Sequence, residues 1–217
     1  MDTLLARIAA GTYRVGSMLP KEEHLAAELD VSRGVVRECI RALEERGVVR
    51  VRHGRGATVM PARAWDVLDP QVFSAVHGAA GGRRLVSEAV EALAIVQGEA
   101  AALAAERSQP EAVRALSAAV DAVETATGDG MAAAELEFGR ALADAAGNRP
   151  LARAATELTE AMAAAASPRH GRSEGYRDVL DAIAAADPAA ARVAMQALSR
   201  EARSASGRGA SASGRPS

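Results

Sequence analysis

Cysteine, aromatic residues and long apolar runs are scarce in this sequence. It has one cysteine, Cys39, and five aromatic residues among 217, namely one Trp, two Tyr and two Phe. A single cysteine excludes an intramolecular disulfide and is typical of a reducing compartment. No apolar run approaches the roughly 20 residues that a membrane-spanning helix needs, and no signal-peptide pattern opens the sequence. These absences predict a folded cytoplasmic protein.

The charge of the chain is unevenly distributed along it. The formal net charge is −2, and hydrophobic residues make up 49% of the chain. Residues 1–63 hold 11 Lys and Arg against 8 Asp and Glu, whereas the remainder holds 15 against 20. Alanine, the residue with the highest helix propensity, is frequent after residue 75. The sequence therefore predicts a small basic module, suited to a polyanion, followed by an acidic helical one.

The first 60 residues predict three helices and a hairpin. A short apolar helix ends at Gly11, and a second begins at Pro20, which we place in its first turn. Ser32 is a good N-cap for a third helix from Arg33 to Arg46, and Gly47 ends that helix. From residue 48 the apolar period changes from helical spacing to two, with a turn at residues 53–56, which predicts a β-hairpin.

These elements together form a winged helix-turn-helix, with the third helix as the reading helix. An inward stripe at helical spacing is predicted for its apolar residues: Val35, Val36, Cys39, Ile40 and Leu43. Arg33 and Arg37 lie on its outer face. The planar fork of arginine grips guanine O6 and N7, or a phosphate, with two hydrogen bonds. The alternative interpretation is a solvated helix face, which the adjoining helix, the cap and the basic hairpin disfavour.

The run from Ile8 to Val49, continued by Gly-Arg-Gly-Ala-Thr-Val at 54–59, resembles the DNA-binding domain of the GntR family of bacterial transcription regulators. The resemblance implies that the DNA contacts are made by Ser32, Arg33, Arg37, His53 and Gly54. Two positions depart from the family pattern. Glu23 stands where the family commonly has Arg or Lys, so Lys21 is the expected substitute for that phosphate contact. Gly34 stands where a larger residue is usual.

Residues 61–82 are interpreted as a linker. Their Trp-Asp-Val-Leu-Asp-Pro-Gln-Val run at 65–72 resembles the linker of the FadR-like branch of the family, with Trp65 as an apolar anchor that holds the two domains in register. Residues 83–204 show six helical segments joined by short turns, which predict an antiparallel bundle. The Gly- and Ser-rich residues 205–217 are expected to be disordered. The predicted fold is thus mainly α, a winged helix-turn-helix followed by an all-α bundle.

The order of motifs in the bundle resembles the FCD effector-binding domain. Most such domains hold a divalent metal with an Asp and three His, an arrangement that suits zinc or a related ion. Here the acid position is Glu135, and the three histidine positions are Gly139, Tyr176 and Leu198. We therefore expect no metal and no other cofactor.

A candidate pocket follows from the same alignment. The usual Arg and Glu of the first long helix are replaced by Leu93 and Gln97, so a small carboxylate is a poor effector. The candidate pocket is lined by six residues: Leu93, Gln97, Glu135, Phe138, Tyr176 and Leu198. An apolar or neutral effector is favoured. Two alternatives stay open, a bundle filled by alanine that only dimerises and a polar ligand of unrecognised kind.

Three functions are compared. The favoured one is a DNA-binding transcription regulator, a repressor that binds a palindromic operator as a homodimer and responds to an effector. An enzyme is disfavoured because the sequence has no Ser, His and acid set and no metal ligands at useful spacing. The third is a helical dimerisation or interaction module. Either its effector domain no longer senses a ligand, or its helix-turn-helix no longer binds DNA.

Overall fold

The computed structural model describes residues 1–52, 54–80, 82–128, 130–163 and 174–212. The chain divides into two compact units, Met1–Val86 and a second that begins at Ser87. The elements in chain order are α1 Asp2–Ala9, α2 Glu22–Leu29, α3 Arg33–Glu45, β1 Val49–Arg52, β2 Gly56–Val59, α4 Pro70–His77, α5 Gly82–Arg107, α6 Pro110–Thr125, α7 Gly130–Ala146, α8 Arg149–Ala163, α9 Glu174–Ala184 and α10 Pro188–Ala212. None of the helices in the described ranges is long and apolar enough to cross a membrane.

The first unit has its own apolar core, formed by α1, α2, α3 and the hairpin. Fully or nearly fully buried side chains from each element meet there: Leu4, Leu5, Ile8, Leu25, Val36, Leu43, Val48 and Val59. Gly11 follows α1 with a φ of 82°, as expected for a glycine that ends a helix. The winged helix-turn-helix architecture predicted from the sequence is confirmed.

The start of α2 differs from the prediction. The helix begins at Glu22 with Lys21 as its N-cap, so Pro20 precedes the helix and is not in its first turn. The reason lies in the chain before it. The amide of Leu19 donates to the carbonyl of Ala57 at 2.8 Å, so this segment is still paired with the hairpin when it reaches Pro20.

The boundaries of α3 follow the sequence prediction closely. The Ser32 side chain accepts a hydrogen bond from the amide of Val35 at 3.3 Å, which caps the helix. At its other end Gly47 has a φ of 69°, and the amide of Val48 donates to the carbonyl of Leu43 at 2.9 Å. This is the glycine-terminated end that the sequence predicts.

The predicted inward stripe of α3 is too wide. Val36, Ile40 and Leu43 are buried, but Cys39 is only half-buried and Val35 is 48% exposed. A stripe that includes i, i+1, i+4 and i+5 spans a broad arc of the helix, and the small first unit covers only its centre. The outer edge of the arc therefore faces solvent beside the arginines.

The hairpin, here called the wing, pairs β1 with β2 in antiparallel register, with Val49 opposite Val59 and Arg52 opposite Gly56. Residues 16–19 run along the other edge of β2. The amide of Val59 donates to the carbonyl of Ser17 at 2.9 Å, and Met18 forms an isolated bridge with Thr58. This third extended segment anchors the wing to the unit.

The described part of the predicted linker, residues 61–82, contains the helix α4. Asp69 caps α4 by accepting from the amides of Gln71 and Val72, and Pro70 occupies the first helical position. Val72 is buried in the core of the first unit. The Asp69 carboxylate also pairs with Arg46 at the end of α3, at 2.9 Å. The segment is thus part of the first unit, because its capping acid and its apolar face both find partners there.

Trp65 packs against the same core, as a partly buried side chain, and its indole nitrogen donates to the carbonyl of Met60 at 2.9 Å. The residue before Trp65 also packs closely against the end of α3. A β-carbon on Gly47 would lie 2.1 Å from the carbonyl oxygen of Ala64. No side chain larger than hydrogen fits there. Trp65 is therefore an anchor within the first unit.

In its described residues the second unit is a helical bundle, and the six predicted segments are confirmed as α5 to α10. Its core is built from alanine and medium-sized apolar residues, including Leu116, Val120, Phe138, Leu142, Val179 and Ile183. Helix α5 begins at Gly82, one residue before the predicted start of the bundle at residue 83. Helix α10 continues to Ala212, so residues 205–212 are helical instead of disordered, since extending a formed helix needs no new nucleus. Residues 213–217 lie outside the described ranges.

Candidate nucleic-acid interface

The exposed side of α3 carries the two arginines that the sequence singles out. The side chains of Arg33 and Arg37 are 62% and 69% exposed, respectively. They are separated by one helical turn at the end of α3 that Ser32 caps. Neither arginine belongs to the apolar core of the first unit. The structure therefore brings Ser32, Arg33 and Arg37 together on one exposed helix end, which has the size and charge to enter a DNA major groove.

The wing adds further exposed cations beside this helix. Arg50, Arg52 and Arg55 are exposed, and the turn includes Gly54 with a φ of 74°, a conformation that glycine adopts readily. The amide of Val51 in β1 donates to the Glu44 carboxylate of α3 at 2.7 Å, which ties the wing to the reading helix. His53, the other predicted wing-tip contact, lies outside the described residues.

Lys21 lies at the start of α2 and is exposed. Within the described ranges, Lys21 and the three wing arginines take part in no ion pair. Four cations that form no ion pair among the described residues, on the unit that holds the reading helix, favour contact with a polyanion.

The two arginines of the reading helix are paired with glutamates of α2, a feature that sequence reasoning missed. Arg33 Nη1 lies 3.0 Å from Glu23 Oε1, and Arg37 Nε donates to Glu22 Oε2 at 2.6 Å. Both pairs are open to solvent, so they stabilise the fold only slightly. Each uses one nitrogen of the guanidinium and leaves other N–H groups of the fork for another acceptor.

Gly34 lies in the first turn of α3, and its surroundings do not require a glycine. A β-carbon there would meet only the Ser32 hydroxyl, at 3.7 Å. Its backbone is helical and outside the left-handed region. The glycine therefore leaves open space at the Ser32-capped end of the helix and lowers its intrinsic helix propensity.

Residues of the candidate pocket in the second unit contact one another through a hydrogen bond and through apolar packing. Tyr176 Oη donates to Glu135 Oε1 at 3.2 Å, and the ring of Tyr176 meets Phe138 edge to face, with centroids 4.8 Å apart. Leu198 belongs to the same buried cluster. The structure brings these four residues, from α7, α9 and α10, close together.

The two α5 residues of the candidate pocket behave differently. A β-carbon on Gly139 would lie 3.9 Å from Gln97 Nε2, so Gln97 faces the helix that carries Phe138. Leu93 is buried but is outside the cluster that contains Phe138 and Tyr176. A groove of about 510 Å³ between α6 and α7, lined mainly by alanines of both helices, includes none of the six predicted residues.

Helices of the second unit are joined by two arginine centres. The Arg192 guanidinium of α10 donates two hydrogen bonds to Glu99 of α5, at 2.7 and 2.9 Å. These bonds hold the pKa of Glu99 below its usual value. Arg177 of α9 pairs with Glu124 and Asp121 of α6, and the two carboxylates raise the pKa of this arginine. Both centres join helices of the second unit.

Comparison with known proteins gives the family. Residues 1–59 match the family described as bacterial regulatory proteins, gntR family, and residues 88–200 match the FCD domain. Over 206 residues the chain is 32% identical to the HTH-type transcriptional regulator Rv0494 of Mycobacterium tuberculosis, covering 90% of this chain and 83% of that protein. The chain belongs to the GntR family. This GntR regulator has a DNA-binding helix-turn-helix and an FCD domain, and it is not an enzyme.

Other relatives of the GntR regulator are also named as transcription regulators. It is 32% identical to HTH-type transcriptional regulator Mce2R of M. tuberculosis over 209 residues, 91% of this chain and 85% of the relative. The galactonate operon transcriptional repressor of Escherichia coli is 36% identical over 106 residues, about half of each chain. Among solved structures, a Streptococcus agalactiae GntR protein matches with a TM-score of 0.53 and 28% identity, covering 94% of this chain and 97% of that chain.

Proposed function

We propose that the GntR regulator reads double-stranded operator DNA with the Ser32-capped end of α3, with Arg33 and Arg37 as the principal contacts. The wing turn at His53 and Gly54 and the exposed Lys21 would hold neighbouring phosphates. The observation that carries this proposal is the exposure of both arginines at the N-terminal end of a helix whose apolar face is buried. Base-edge contacts supply sequence information, while phosphate contacts fix orientation.

The proposal extends to a cytoplasmic homodimer that represses from a palindromic operator. Two copies of one reading helix related by a twofold axis read inverted half-sites, about 34 Å apart or a multiple of it. The family membership and the name of the repressor among the relatives support this extension.

Selection of bound duplexes from a random DNA pool tests the proposal. The expected outcome is an enriched inverted repeat, bound by a species of twice the chain mass in sedimentation. Enrichment of a single half-site would leave DNA reading intact and contradict the palindrome. Failure to enrich any sequence would support the other candidate, an interaction module whose helix-turn-helix no longer binds DNA.

We further propose that the effector binds within the second unit without a metal. Glu135 accepts a hydrogen bond from Tyr176, and the positions beside it carry Gly139 and Leu198, which are not metal ligands. Within the described ranges, no three His, Cys, Asp or Glu side chains are grouped for a metal ion. The apolar contacts of Phe138 and Leu198 suit a neutral or apolar ligand, with Gln97 and Glu135 for orientation.

The dense packing of the same residues favours a second candidate, a bundle that only dimerises. Phe138 and Tyr176 are in edge-to-face contact, and both are buried. A library of neutral and apolar compounds, screened for a raised melting temperature and for release of the selected DNA, separates the two. A ligand that does both supports sensing, whereas a library without such a compound supports the filled bundle. Metal analysis of the purified protein tests the absence of metal, and stoichiometric zinc or manganese would contradict it.

A further inference from the structure

The pairing of Arg33 with Glu23 has a consequence for how DNA is discriminated. Glu23 lies in the first turn of α2, and its carboxylate oxygen is 3.0 Å from Arg33 Nη1. Both side chains are about 60% exposed, so the pair lies on the surface that the proposed function gives to DNA. An exposed pair of this kind contributes little to stability, and its main effect is on the charge that Arg33 presents.

A phosphate and a guanine edge respond differently to this pair. A phosphate that approaches Arg33 carries a full negative charge and meets the carboxylate of Glu23 within a few ångströms of its own binding position. The two anions repel each other. Guanine presents O6 and N7, which are acceptors on a neutral base, so the carboxylate opposes it far less.

The guanidinium geometry allows a base edge to bind while Glu23 stays in place. The contact with Glu23 uses Nη1, and an arginine fork has five N–H donors in one plane. The remaining donors are sufficient for two hydrogen bonds to guanine. Glu23 therefore leaves the base-reading capacity of Arg33 intact while it cancels much of the charge that attracts phosphates.

We propose that Glu23 is a specificity-determining residue, which weakens contact of Arg33 with the DNA backbone more than contact with base edges. The residue thus lowers the affinity for non-operator DNA and raises the ratio of operator to non-operator affinity. This inference rests on the proposed function, because it requires Arg33 to contact DNA.

The variant Glu23→Gln tests the inference, since it keeps the size of the side chain and removes its charge. The probes are the duplex most enriched from a random pool and a shuffled duplex of the same composition, measured by fluorescence anisotropy over a series of salt concentrations. We expect affinity for the shuffled duplex to rise roughly three- to tenfold and its salt slope to steepen by about one. Affinity for the enriched duplex should rise by about twofold or less, so that specificity falls.

The matched control is Glu28→Gln on the same helix. Glu28 pairs with Arg7 of α1 at 2.5 Å. The Glu28→Gln substitution removes the same charge from α2, five residues away from position 23. An equal rise for both duplexes in Glu23→Gln, no rise for either, or the same change in Glu28→Gln would overturn the inference. Arg33→Ala is measured in parallel. If that variant keeps its affinity for the enriched duplex, the proposed contact of Arg33 fails; if it loses affinity while Glu23→Gln retains its specificity, the inference alone fails.

Discussion

The two units place their candidate functional residues in opposite relations to their cores. In the first unit, Arg33 and Arg37 are exposed and the core lies on the other side of α3. In the second unit, Phe138, Tyr176 and Leu198 are members of the core itself. Recognition and stability are therefore separable in the first unit and joined in the second.

This difference has a physical origin in the two ligands. A DNA duplex is larger than the first unit and can be met only by an exposed, charged surface, whereas a small neutral effector is held by enclosed apolar contacts. Substitutions on the reading helix should change binding without changing the fold. Substitutions in the candidate pocket should change both together.

The largest effect on stability is expected from Phe138→Ala. Phe138 is 2% exposed and touches Tyr176 edge to face, so the variant loses a buried ring and leaves a cavity. We expect a loss of about 3–5 kcal/mol in the free energy of unfolding, measured in urea. The control is Glu137→Ala, an exposed neighbour on the same helix, which should change the free energy by less than about 0.5 kcal/mol. A Phe138→Ala protein as stable as the wild type would contradict the view that the candidate pocket residues of the second unit also support its fold.

Gly34→Ala should stabilise the first unit by about 0.5–1 kcal/mol, because alanine has the higher helix propensity. The added β-carbon has room, since it would meet only the Ser32 hydroxyl at 3.7 Å. Gly34 is therefore a position on the reading face where stability is expected to respond. A melting temperature that is unchanged or lowered would show that the first turn of α3 gains nothing from helix propensity.

The smallest effect is expected from Glu99→Gln in the second unit. The hydrogen bonds from Arg192 lower the pKa of Glu99, so the folded state favours the carboxylate and the stabilisation is present above the pKa of the unfolded chain. Because the pair is partly exposed, it is worth about 0.5 kcal/mol or less at neutral pH. The difference between wild type and variant should shrink as the pH falls through about 4 and vanish below the folded pKa. A difference that grows at acid pH would have the wrong sign.

The sequence predicts the elements whose signals are local. Ser32 and Gly47 fix the ends of α3 through their own caps, and the turn residues between the alanine-rich segments fix six helices of the bundle. The family resemblance, which rests on the same residues, is confirmed. Residues 70–77 could have been found too, because Asp69 followed by Pro70 is a standard helix start.

Contacts between elements are what the sequence does not give. The pairs of Glu22 and Glu23 with Arg37 and Arg33 depend on how α2 crosses α3, and no spacing along the chain encodes that angle. The docking of Val72 and the pairing of Asp69 with Arg46 likewise require two distant segments to meet. For the same reason, a residue such as Val35 can fit a helical stripe and still lie outside the core.

The most direct test of whether recognition and stability are separable in the first unit is a pair of measurements on Arg33→Ala. The first is its affinity for the selected operator duplex, and the second is its unfolding in urea. Loss of a bidentate base contact should weaken binding by about 1–3 kcal/mol per half-site. The free energy of unfolding should change by less than about 1 kcal/mol, because the pair with Glu23 is exposed. Arg114→Ala in the second unit, also an exposed and paired arginine, is the control and should leave binding unchanged. Retained affinity in Arg33→Ala, or an unfolded protein, would contradict the account.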